Sequence, residues 1–345
     1  MDIHQKNQLN KLLIIWYSNG YRKLPWRTNP SLYKTVISEF MLQQTQVKTV
    51  LPYFEKWIKT FPDFHTLAKA SDESILKHWE GLGYYSRARN LHKLAKVLSS
   101  LPSIPKTPEE WQKLSGVGPY TAAAICSIAF SFPIAVVDGN VIRILSRLFA
   151  YDKPLKNNAD AVKIFTPLAT KFLNTTDPNT HNQAMMELGA TTCLKHSPLC
   201  TVCPFVTFCK AAGKGIQGSL PRLIRKKTTQ LTLNRLWIQK DDCLLLEQIP
   251  TNAARLANLY ELPSNANTQI PLTNITPTAT LKRAISNQSI QENLYQIPLS
   301  PSIKTIMHKQ PHWQWIPLSQ IESIALSGPH RKWINRLLKQ GLFTS

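Results

Sequence analysis

The sequence predicts a protein of more than one domain, an all-α region followed by a smaller α+β region. The chain has 345 residues, which is long enough for two domains. From Gln8 to about Ala211, apolar residues recur at three- and four-residue steps, a pattern typical of amphipathic helices. No run of alternating apolar and polar residues, typical of a β-strand, occurs before a group of cysteines near residue 200. After residue 212 the helical spacing of apolar residues gives way to glycines and then to such alternating runs.

Turns containing glycine and proline divide the first region into helical segments. One amphipathic pattern runs from Val36 to Ile58, and we expect Pro52 to break it into two helices because its ring removes a backbone donor. Similar patterns at 91–98, 122–130 and 141–149 predict further helices. The short apolar stretch at 12–16 is far too short to span a bilayer, so we expect an intracellular protein without a membrane partner.

The last third of the chain is predicted to be a separate α+β domain. We place a linker at 213–229, where three glycines precede the basic run Arg225-Lys226-Lys227. Two β-runs at 231–238 and 243–246, around a polar turn, predict a hairpin. A final helix is expected from about Arg331 to Lys339. The predicted boundaries are therefore 1–212, 213–229 and 230–345.

The charge balance predicts a polyanionic partner. The 41 Lys and Arg residues outnumber the 20 Asp and Glu residues, which gives a formal net charge of +21. Such an excess favours binding to phosphate backbones through the release of counterions. No acidic residue lies between Glu80 and Glu109, a stretch that contains Arg87, or between Glu187 and Asp241. This clustering favours a nucleic-acid surface over the alternative of a uniformly basic protein.

Four of the six cysteines fall within one short loop and predict a metal centre. Cys193, Cys200, Cys203 and Cys209 have the spacing C-x6-C-x2-C-x5-C. Four thiolates can hold either zinc or an iron–sulfur cluster. Zinc ribbons usually use two C-x2-C pairs, and only one is present here, so the asymmetric wrap favours a cubane cluster. Four ordinary thiols and a zinc site are the alternatives.

A glycine-rich corner at residues 114–121 predicts a site for a DNA phosphate. Gly116 and Gly118 can both take positive φ and expose backbone N–H groups. These groups come just before a helix that Pro119 opens, where a phosphate oxygen can bind. Thr121 follows directly, and the whole string matches the helix-hairpin-helix element of DNA-binding proteins.

Two carboxylates have the surroundings that glycosidic cleavage needs. Glu39 begins a polar helix with Gln43 one turn further on and Gln44 beside it, whose amides can pair with exposed base edges. A glutamate kept protonated in an apolar pocket can donate its proton to a leaving heterocycle. Asp138 precedes a helix as a candidate N-cap, where the helix dipole and the amides are expected to keep it ionised. A solvated glutamate and a plain helix cap are the alternatives.

With these residues assembled, the chain resembles the MutY-type adenine DNA glycosylases of the helix-hairpin-helix superfamily. The resemblance covers most of the first 210 residues and is carried by the strings Leu24 to Arg27, Glu39 to Val47, Gly81 to Leu91, Gly116 to Ala122, Asp138 to Val141 and Asn182 to Gly189.

The resemblance implies a multidomain protein, an all-α helix-hairpin-helix glycosylase domain with an iron–sulfur cluster loop plus a C-terminal α+β Nudix-like domain that reads the mismatch. It places a six-helix barrel subdomain at about 30–135 and a cluster subdomain at 1–29 and 136–212. One 4Fe–4S cluster is the implied cofactor, and a monomer in the cytoplasm, associated with the nucleoid in a bacterium, is the expected state.

The resemblance also implies a role for each matching residue. Glu39 protonates adenine, and Asp138 stabilises the cationic sugar with Tyr120 and Asn140 beside it. Further residues are implied to line the pocket or contact DNA, and these are Arg27, Gln43, Gln44, Leu82, Tyr84, Arg87, Gly116, Gly118, Thr121, Glu187 and His308. Gln44 and Tyr84 resemble the residues that enter the base stack. Relatives that also nick the strand carry a lysine where this chain has Tyr120, which cannot form a Schiff base.

We therefore predict a monofunctional hydrolase that removes adenine opposite 8-oxoguanine or guanine in double-stranded DNA and leaves an abasic site. The Nudix hydrolase signature is absent from the C-terminal region, so we expect no pyrophosphatase activity. The family's Phe-Ser-His reading loop is matched here by Ile306-Met307-His308. The alternatives are a glycosylase-lyase for oxidised pyrimidines and a non-catalytic sensor of DNA lesions.

Overall fold

The structure, a computed structural model, describes residues 2–224, 228–253, 255–268, 270–273, 275–285 and 287–340. These residues form two compact units. The first unit contains residues 2–68 and 93–224, and the second contains residues 69–92 together with the described residues from 228 onward. The chain thus passes into the second unit for 24 residues before it returns to the first.

The two units contain the following helices and strands. In chain order the helices are α1 (Ile3–Gly20), α2 (Pro25–Thr28), α3 (Leu32–Leu42), α4 (Val47–Thr60), α5 (Phe64–Lys69), α6 (Asp72–Trp79), α7 (Ser86–Ser100), α8 (Pro108–Gln112), α9 (Pro119–Phe130), α10 (Gly139–Leu148), α11 (Asn158–Phe172), α12 (Pro178–Thr191), α13 (Lys210–Gly213), α14 (Pro301–His308) and α15 (Gly328–Lys339). The strands are β1 (Thr229–Trp237), β2 (Gln239–Lys240), β3 (Cys243–Gln248), β4 (Tyr260–Glu261), β5 (Ala279–Ile285), β6 (Gln288–Gln296) and β7 (Trp313–Pro317). Short 3-10 helices lie at Cys200–Val202, Val206–Phe208, Gln217–Ser219, Asn265–Asn267 and Leu318–Gln320.

The first unit is helical, as predicted, because its helices bury apolar faces against one another. One core cluster of the first unit joins α1, α10, α11 and α12 through buried side chains such as Leu13, Leu145 and Phe165. Among the described residues every named strand lies after residue 228. This core fixes the start of α10 against α12, where the candidate catalytic residues lie.

The helix break that we expected at Pro52 lies elsewhere. Helix α4 runs unbroken through Pro52, and the chain leaves helical geometry at Gln43–Gln46 instead. A proline inside a helix costs about 3 kcal/mol. The buried face of Val50, Phe54 and Trp57 outweighs that cost by holding both halves of α4 against the core.

The second unit contains two sheets with helices packed against them. Strand β6 lies between β1, its parallel neighbour, and β5, its antiparallel neighbour. Strand β3 pairs antiparallel with β2, β4 and β7. The predicted hairpin is therefore only partly present, because β2 and β3 form its arms while β1 belongs to the other sheet. The final helix α15 begins at Gly328, three residues before the predicted start, and buries Trp333 and Ile334.

Part of the predicted linker is fixed to the first unit. Leu155 and Leu223 form a parallel bridge, in which the Leu155 N–H donates to the Arg222 carbonyl and the Ile224 N–H donates to the Leu155 carbonyl. The basic run Arg225-Lys226-Lys227 of that linker lies outside the described residues. None of the described helices is both long and apolar enough to cross a membrane.

Candidate active site

A cavity of about 680 Å³ opens in the first unit where α3, α9, α10 and α12 meet. Its walls contain all four residues predicted to be catalytic, which are Glu39, Tyr120, Asp138 and Asn140. They come from three separate stretches of sequence, in α3, in α9 and at the start of α10, and the helix packing brings them together. The structure thus supports the grouping that the sequence predicted.

Glu39 is buried in the cavity wall and is suited to hold a proton near neutral pH. Its side chain is only 5% exposed. The Tyr120 hydroxyl donates to Glu39 Oε2 at 2.9 Å. Burial raises the pKa of Glu39 to about 7; the negative charge of Asp138 adds to this increase, and the tyrosine hydrogen bond opposes it. Since Tyr120 binds one oxygen, the other oxygen can carry a proton to a ligand.

Asp138 is the N-cap of α10, as expected. Its Oδ1 accepts the Val141 N–H at 2.8 Å, and its Oδ2 accepts the Asn140 side-chain amide at 2.7 Å. We expected these bonds to keep its pKa low, and they do act in that direction. Burial has the larger effect, however, and leaves the pKa of Asp138 raised. A positive charge close to Asp138 would therefore favour its ionised form.

Glu187 is a buried carboxylate bonded to two arginines of the cavity wall. Its Oε1 accepts the Arg22 Nε–H at 2.7 Å, and its Oε2 accepts an N–H from Arg22 Nη2 at 2.8 Å and one from Arg27 Nη1 at 2.8 Å. Burial alone would raise the pKa of Glu187, but the hydrogen bonds from Arg22 and the charge of Arg27 outweigh it and leave the pKa lowered. Both arginines line the cavity. Sequence reasoning found Arg27 and Glu187 through the resemblance and missed Arg22.

Two further residues that the sequence analysis missed hold Asn140 in place. Arg143, one helical turn further along α10, donates from Nη2 to Asn140 Oδ1 at 2.8 Å and from Nε to the Cys193 carbonyl at 2.7 Å. Gly189 on α12 faces Asn140 so closely that a Cβ there would lie 2.4 Å from the Asn140 Cβ. Only a residue without a side chain allows α10 and α12 to approach this far.

The glycine corner differs in detail from the prediction. Gly116 has a φ of +77°, as expected, but Gly118 is extended with a φ of −83° and serves as the N-cap of α9. The expectation of positive φ at Gly118 was therefore wrong, because an N-cap residue takes extended geometry. Thr121 is buried, and its hydroxyl accepts the Gln43 side-chain amide at 3.1 Å. Gln43 thus joins α3 to α9 in this structure, and DNA contact by either residue stays a prediction.

The residues implied to enter the base stack both have left-handed backbones. Gln44 in the first unit is exposed with a φ of +56°. Tyr84 in the second unit is 50% exposed with a φ of +47°. Leu82 and Arg87, by contrast, are buried in the second unit. Their contacts support the loop around Tyr84.

The proposed reading stretch is not a loop. Ile306, Met307 and His308 form the last turn of α14, and the first two pack against the apolar core of the second unit. We therefore correct the match of this stretch to the family's reading loop. His308 is exposed, and its contact with DNA stays a prediction.

The four clustered cysteines share one small cavity in the first unit. Cys193, Cys200, Cys203 and Cys209 all line it and are half-buried free thiols. Among the described residues, no three His, Cys, Asp or Glu side chains converge tightly enough to hold a single metal ion. Burial raises the pKa of Cys203 to about 12, so a metal group would have to displace its proton.

The helical fold and its glycine corner define a class of DNA repair protein, and comparison with known sequences agrees. The profile described as "HhH-GPD superfamily base excision DNA repair protein" matches residues 37–165. An adenine DNA glycosylase of Buchnera aphidicola (subspecies Acyrthosiphon pisum) is 35% identical over 246 residues, which are 67% of this chain and 69% of that protein. The chain belongs to the adenine DNA glycosylase family.

Other relatives and solved structures agree with this assignment. The adenine DNA glycosylase of Schizosaccharomyces pombe is 41% identical over 239 residues, which are 61% of this chain and 51% of that protein. The chain thus matches about half the length of that relative. A structure of a thermostable thymine-DNA glycosylase has a TM-score of 0.54 at 24% identity, covering 61% of this chain and 98% of its own. A non-covalent endonuclease III–DNA complex has a TM-score of 0.52 at 21% identity, covering 63% and 99%. These two structures share the helical glycosylase fold, to which this chain adds a C-terminal region with sheets.

Proposed function

We propose that this chain is a monofunctional DNA glycosylase that hydrolyses the bond between adenine and deoxyribose in mispaired DNA. The observation that carries the proposal is the pair of carboxylates in one cavity, Glu39 with a pKa of about 7 and Asp138 bonded to the Asn140 amide. One acid that can give a proton and one that can stabilise a cation suit a reaction with an oxocarbenium-like transition state.

The reaction proceeds in two steps that these residues can serve. Glu39 gives its proton to a ring nitrogen of adenine, and the bond from the base to C1′ breaks with both electrons leaving on adenine. The sugar becomes cationic, which favours the ionised form of Asp138. Water then adds at C1′ and loses a proton, which yields free adenine and an abasic site. Flipping the base into the cavity costs least where the pair is already faulty, which favours a mispair as substrate.

Tyr120 supports hydrolysis over strand nicking. A glycosylase-lyase needs an amine at this place to form a Schiff base with the sugar. The Tyr120 hydroxyl donates to Glu39 instead. Burial, together with the charges of Glu39 and Asp138, raises the pKa of Tyr120 well above its usual value of 10.0, so it stays a neutral donor.

The test uses labelled duplexes with adenine opposite 8-oxoguanine, guanine, cytosine or thymine, incubated with the protein and then treated with alkali. We expect alkali-dependent breaks at adenine opposite 8-oxoguanine and guanine only. Breaks without alkali would indicate a lyase. Intact duplexes with tight binding would indicate a lesion sensor.

We also propose that Cys193, Cys200, Cys203 and Cys209 hold one 4Fe–4S cluster. Their shared cavity supports a common metal group, and the asymmetric spacing with a single C-x2-C pair favours a cluster over zinc. When bound, the cluster would clamp the loop at residues 193–209, beside the Arg143 contact to the Cys193 carbonyl. We expect Cys203→Ser to abolish the visible sulfur-to-iron absorbance of anaerobically purified protein and Cys243→Ser, in the second unit, to retain it. Equal spectra for the two variants would contradict the assignment.

A Nudix-like fold for the second unit and its preference for 8-oxoguanine are part of the proposal. The duplex series above measures that preference directly, as the ratio of excision rates opposite 8-oxoguanine and guanine. A monomeric state and a cytoplasmic location stay predictions.

A further inference from the structure

A short loop in the second unit presents an aromatic ring to solvent on an unusual backbone. Gly81 and Gly83 have φ angles of +101° and +70°, and Tyr84 follows with a φ of +47°. Its side chain is 50% exposed. A left-handed conformation is unfavourable at a residue with a side chain and persists only where its surroundings enforce it. The loop therefore needs supports on both sides.

The first support is Arg87, which lies under the loop. It is only 7% exposed, and its Nη2 donates to the Leu82 carbonyl at 3.1 Å and to the Gly83 carbonyl at 3.2 Å. Its guanidinium lies 5.5 Å from the centre of the Tyr84 ring and 5.3 Å from that of Trp79. This stacking fixes one face of the Tyr84 ring on a buried cation.

The second support comes from the C-terminal end of the chain. Arg331 on α15 binds the Glu80 carboxylate with two N–H groups, one of them from Nη2 to Oε2 at 3.1 Å. The same Nη2 donates to the Ile324 carbonyl at 2.7 Å. On the far side of the loop, the Tyr85 hydroxyl donates to the Leu326 carbonyl at 3.3 Å. Both ends of the loop are thus bonded to residues 324–331.

The ion pair between Arg331 and Glu80 is largely buried, so it holds the loop in a more defined position than a surface ion pair would. The side chains of Arg331 and Glu80 are 11% and 10% exposed. A two-pronged pair between arginine and carboxylate fixes orientation as well as distance. Gly328, at the start of α15, lies close enough that a Cβ there would be 3.7 Å from the Gly81 Cα. The start of α15 therefore packs directly on the first turn of the loop.

We propose that Arg331 is a positioning residue that holds the Tyr84 ring, through Glu80, as a stacking platform for DNA bases. The inference rests on the proposed function, since that function supplies the DNA. An exposed aromatic ring on a rigid support is suited to stacking on an unpaired or destabilised base. A ring fixed in advance loses less freedom on binding than a mobile one. The C-terminal region would thereby act on DNA through the loop at 80–85.

The test is a double-mutant cycle in the full chain. The variants are Arg331→Met, Tyr84→Ala and the pair together, with Lys332→Met as the control. Lys332 is the exposed neighbour of Arg331 on α15, so its substitution removes the same charge without touching the loop. The probe is a duplex with adenine opposite guanine, and the measurement is its dissociation constant by fluorescence anisotropy, with single-turnover excision rates alongside.

We expect Tyr84→Ala to weaken binding about tenfold, as for the loss of one stacked aromatic ring. Arg331→Met should weaken it severalfold more than Lys332→Met does. In the Tyr84→Ala protein, Arg331→Met should have only the effect of Lys332→Met, because the ring that it positions is gone. The proposal would be overturned if Arg331→Met weakened binding equally in proteins with Tyr84 and with Tyr84→Ala. It would also be overturned if, with Tyr84 present, Arg331→Met weakened binding no more than Lys332→Met does.

Two further measurements separate positioning from general damage and from the wider proposal. Arg331→Lys keeps the charge but loses the two-pronged geometry, and it replaces Arg331→Met in the test should that variant fold poorly. We expect its affinity for the duplex to lie between those of the unmodified protein and Arg331→Met. Full affinity in Arg331→Lys would contradict the role of geometry. The two proposals can fail separately, because the cycle measures binding alone. If the unmodified protein binds the duplex without excising adenine, the proposed glycosylase activity is wrong, and the cycle still tests the role of Arg331.

Discussion

Two buried glutamates, one in each unit, have pKa values shifted in opposite directions, for reasons that their neighbours explain. Glu39 is 5% exposed and Glu292 is 1% exposed. Burial raises the pKa of Glu39 to about 7. The hydrogen bond from Tyr120 opposes this increase, and the negative charge of Asp138 adds to it. Around Glu292, the burial effect is outweighed by His330 and by the guanidinium groups of Arg235 and Arg283, which lower the pKa to about 2. Burial alone therefore does not make a general acid; burial without a paired cation does.

The first unit repeats this contrast between two of its own buried glutamates. Glu187 binds Arg22 and Arg27 and has a lowered pKa, while Glu39 accepts from the Tyr120 hydroxyl and has a raised one. Glu39 lines the candidate cavity, and Glu187 is joined to it through the two arginines that line the cavity with Glu39. The carboxylate that faces the cavity is therefore the one whose pKa lies near neutral pH.

The largest expected effect is the loss of the proton from the cavity. Glu39→Gln keeps the shape and the bond from Tyr120 but cannot protonate adenine, so we expect single-turnover excision to fall about 1,000-fold. Binding to the same duplex should change little. The control is Glu55→Gln on the exposed side of α4, which should excise normally. Retained excision by Glu39→Gln would remove this residue from the chemistry.

Glu292→Gln, the matching change in the second unit, should lower the free energy of unfolding. Molecules that remain folded should still excise adenine at the usual rate. Glu292→Gln leaves Arg235 and Arg283 without one of their carboxylate partners, and breaking a buried pair in this way costs about 3 kcal/mol or more. Urea unfolding of the full chain measures this loss, with Glu73→Gln on the exposed start of α6 as the control. The native pKa is lowered, so the stabilisation by Glu292 is present above pH 4.5 and should disappear as the pH falls toward about 2. Equal stability of the two variants at pH 7 would show that the network contributes nothing.

The sequence alone predicted which residues would meet in the cavity of the candidate active site, because most of them carry a local signal. Asp138 precedes a helix as a cap, Glu39 begins a run of amides, and the chain matches a family whose pattern includes Tyr120. Contacts that depend on two distant helices had no such signal. Arg22 reaches Glu187 across 165 positions, and Gly189 matters only because α10 crosses α12 there.

Local patterns also misled where tertiary packing decided the outcome. Pro52 was expected to end a helix, but the buried face of α4 holds the helix through it. Ile306-Met307-His308 was matched as a loop by its letters, although Ser300 and Pro301 form a helix start just before it. The apolar spacing of Ile303, Ile306 and Met307 was the overlooked sign of a buried helical face. The pairing of residues 69–92 with the C-terminal region left no mark in the local sequence.

The next expected effect is a gain in stability when Glu39 is replaced by glutamine. The pKa of Glu39 rises from 4.5 in an ordinary environment to about 7 in the fold. As the pH rises above 4.5 the unfolded chain ionises first, so the stability that Glu39 contributes at low pH is lost by about pH 7. The loss is up to about 3 kcal/mol, from about 1.4 kcal/mol per pKa unit. Glu39→Gln should therefore be more stable than the unmodified protein at pH 8, with no difference below pH 4.5. Chemical unfolding at both values measures this, and a destabilised variant at pH 8 would contradict the raised pKa.

The smallest effect tests the neutral amide of Asn140, which donates to Asp138 Oδ2. Gly189→Ala places a methyl group against Asn140 and should shift the amide that donates to Asp138 Oδ2. We expect about a tenfold slower excision step, since displacements near 1 Å in a site can cost up to about 100-fold. Because the Asn140 bond lowers the pKa of Asp138, losing it raises that pKa, and the acid side of the rate profile should move to higher pH. Gly20→Ala is the control, because a Cβ there meets no atom within 4 Å. A slower rate with an unmoved profile would mean that Gly189 serves helix packing only, and that Asp138 owes its charge to the start of α10 and not to Asn140.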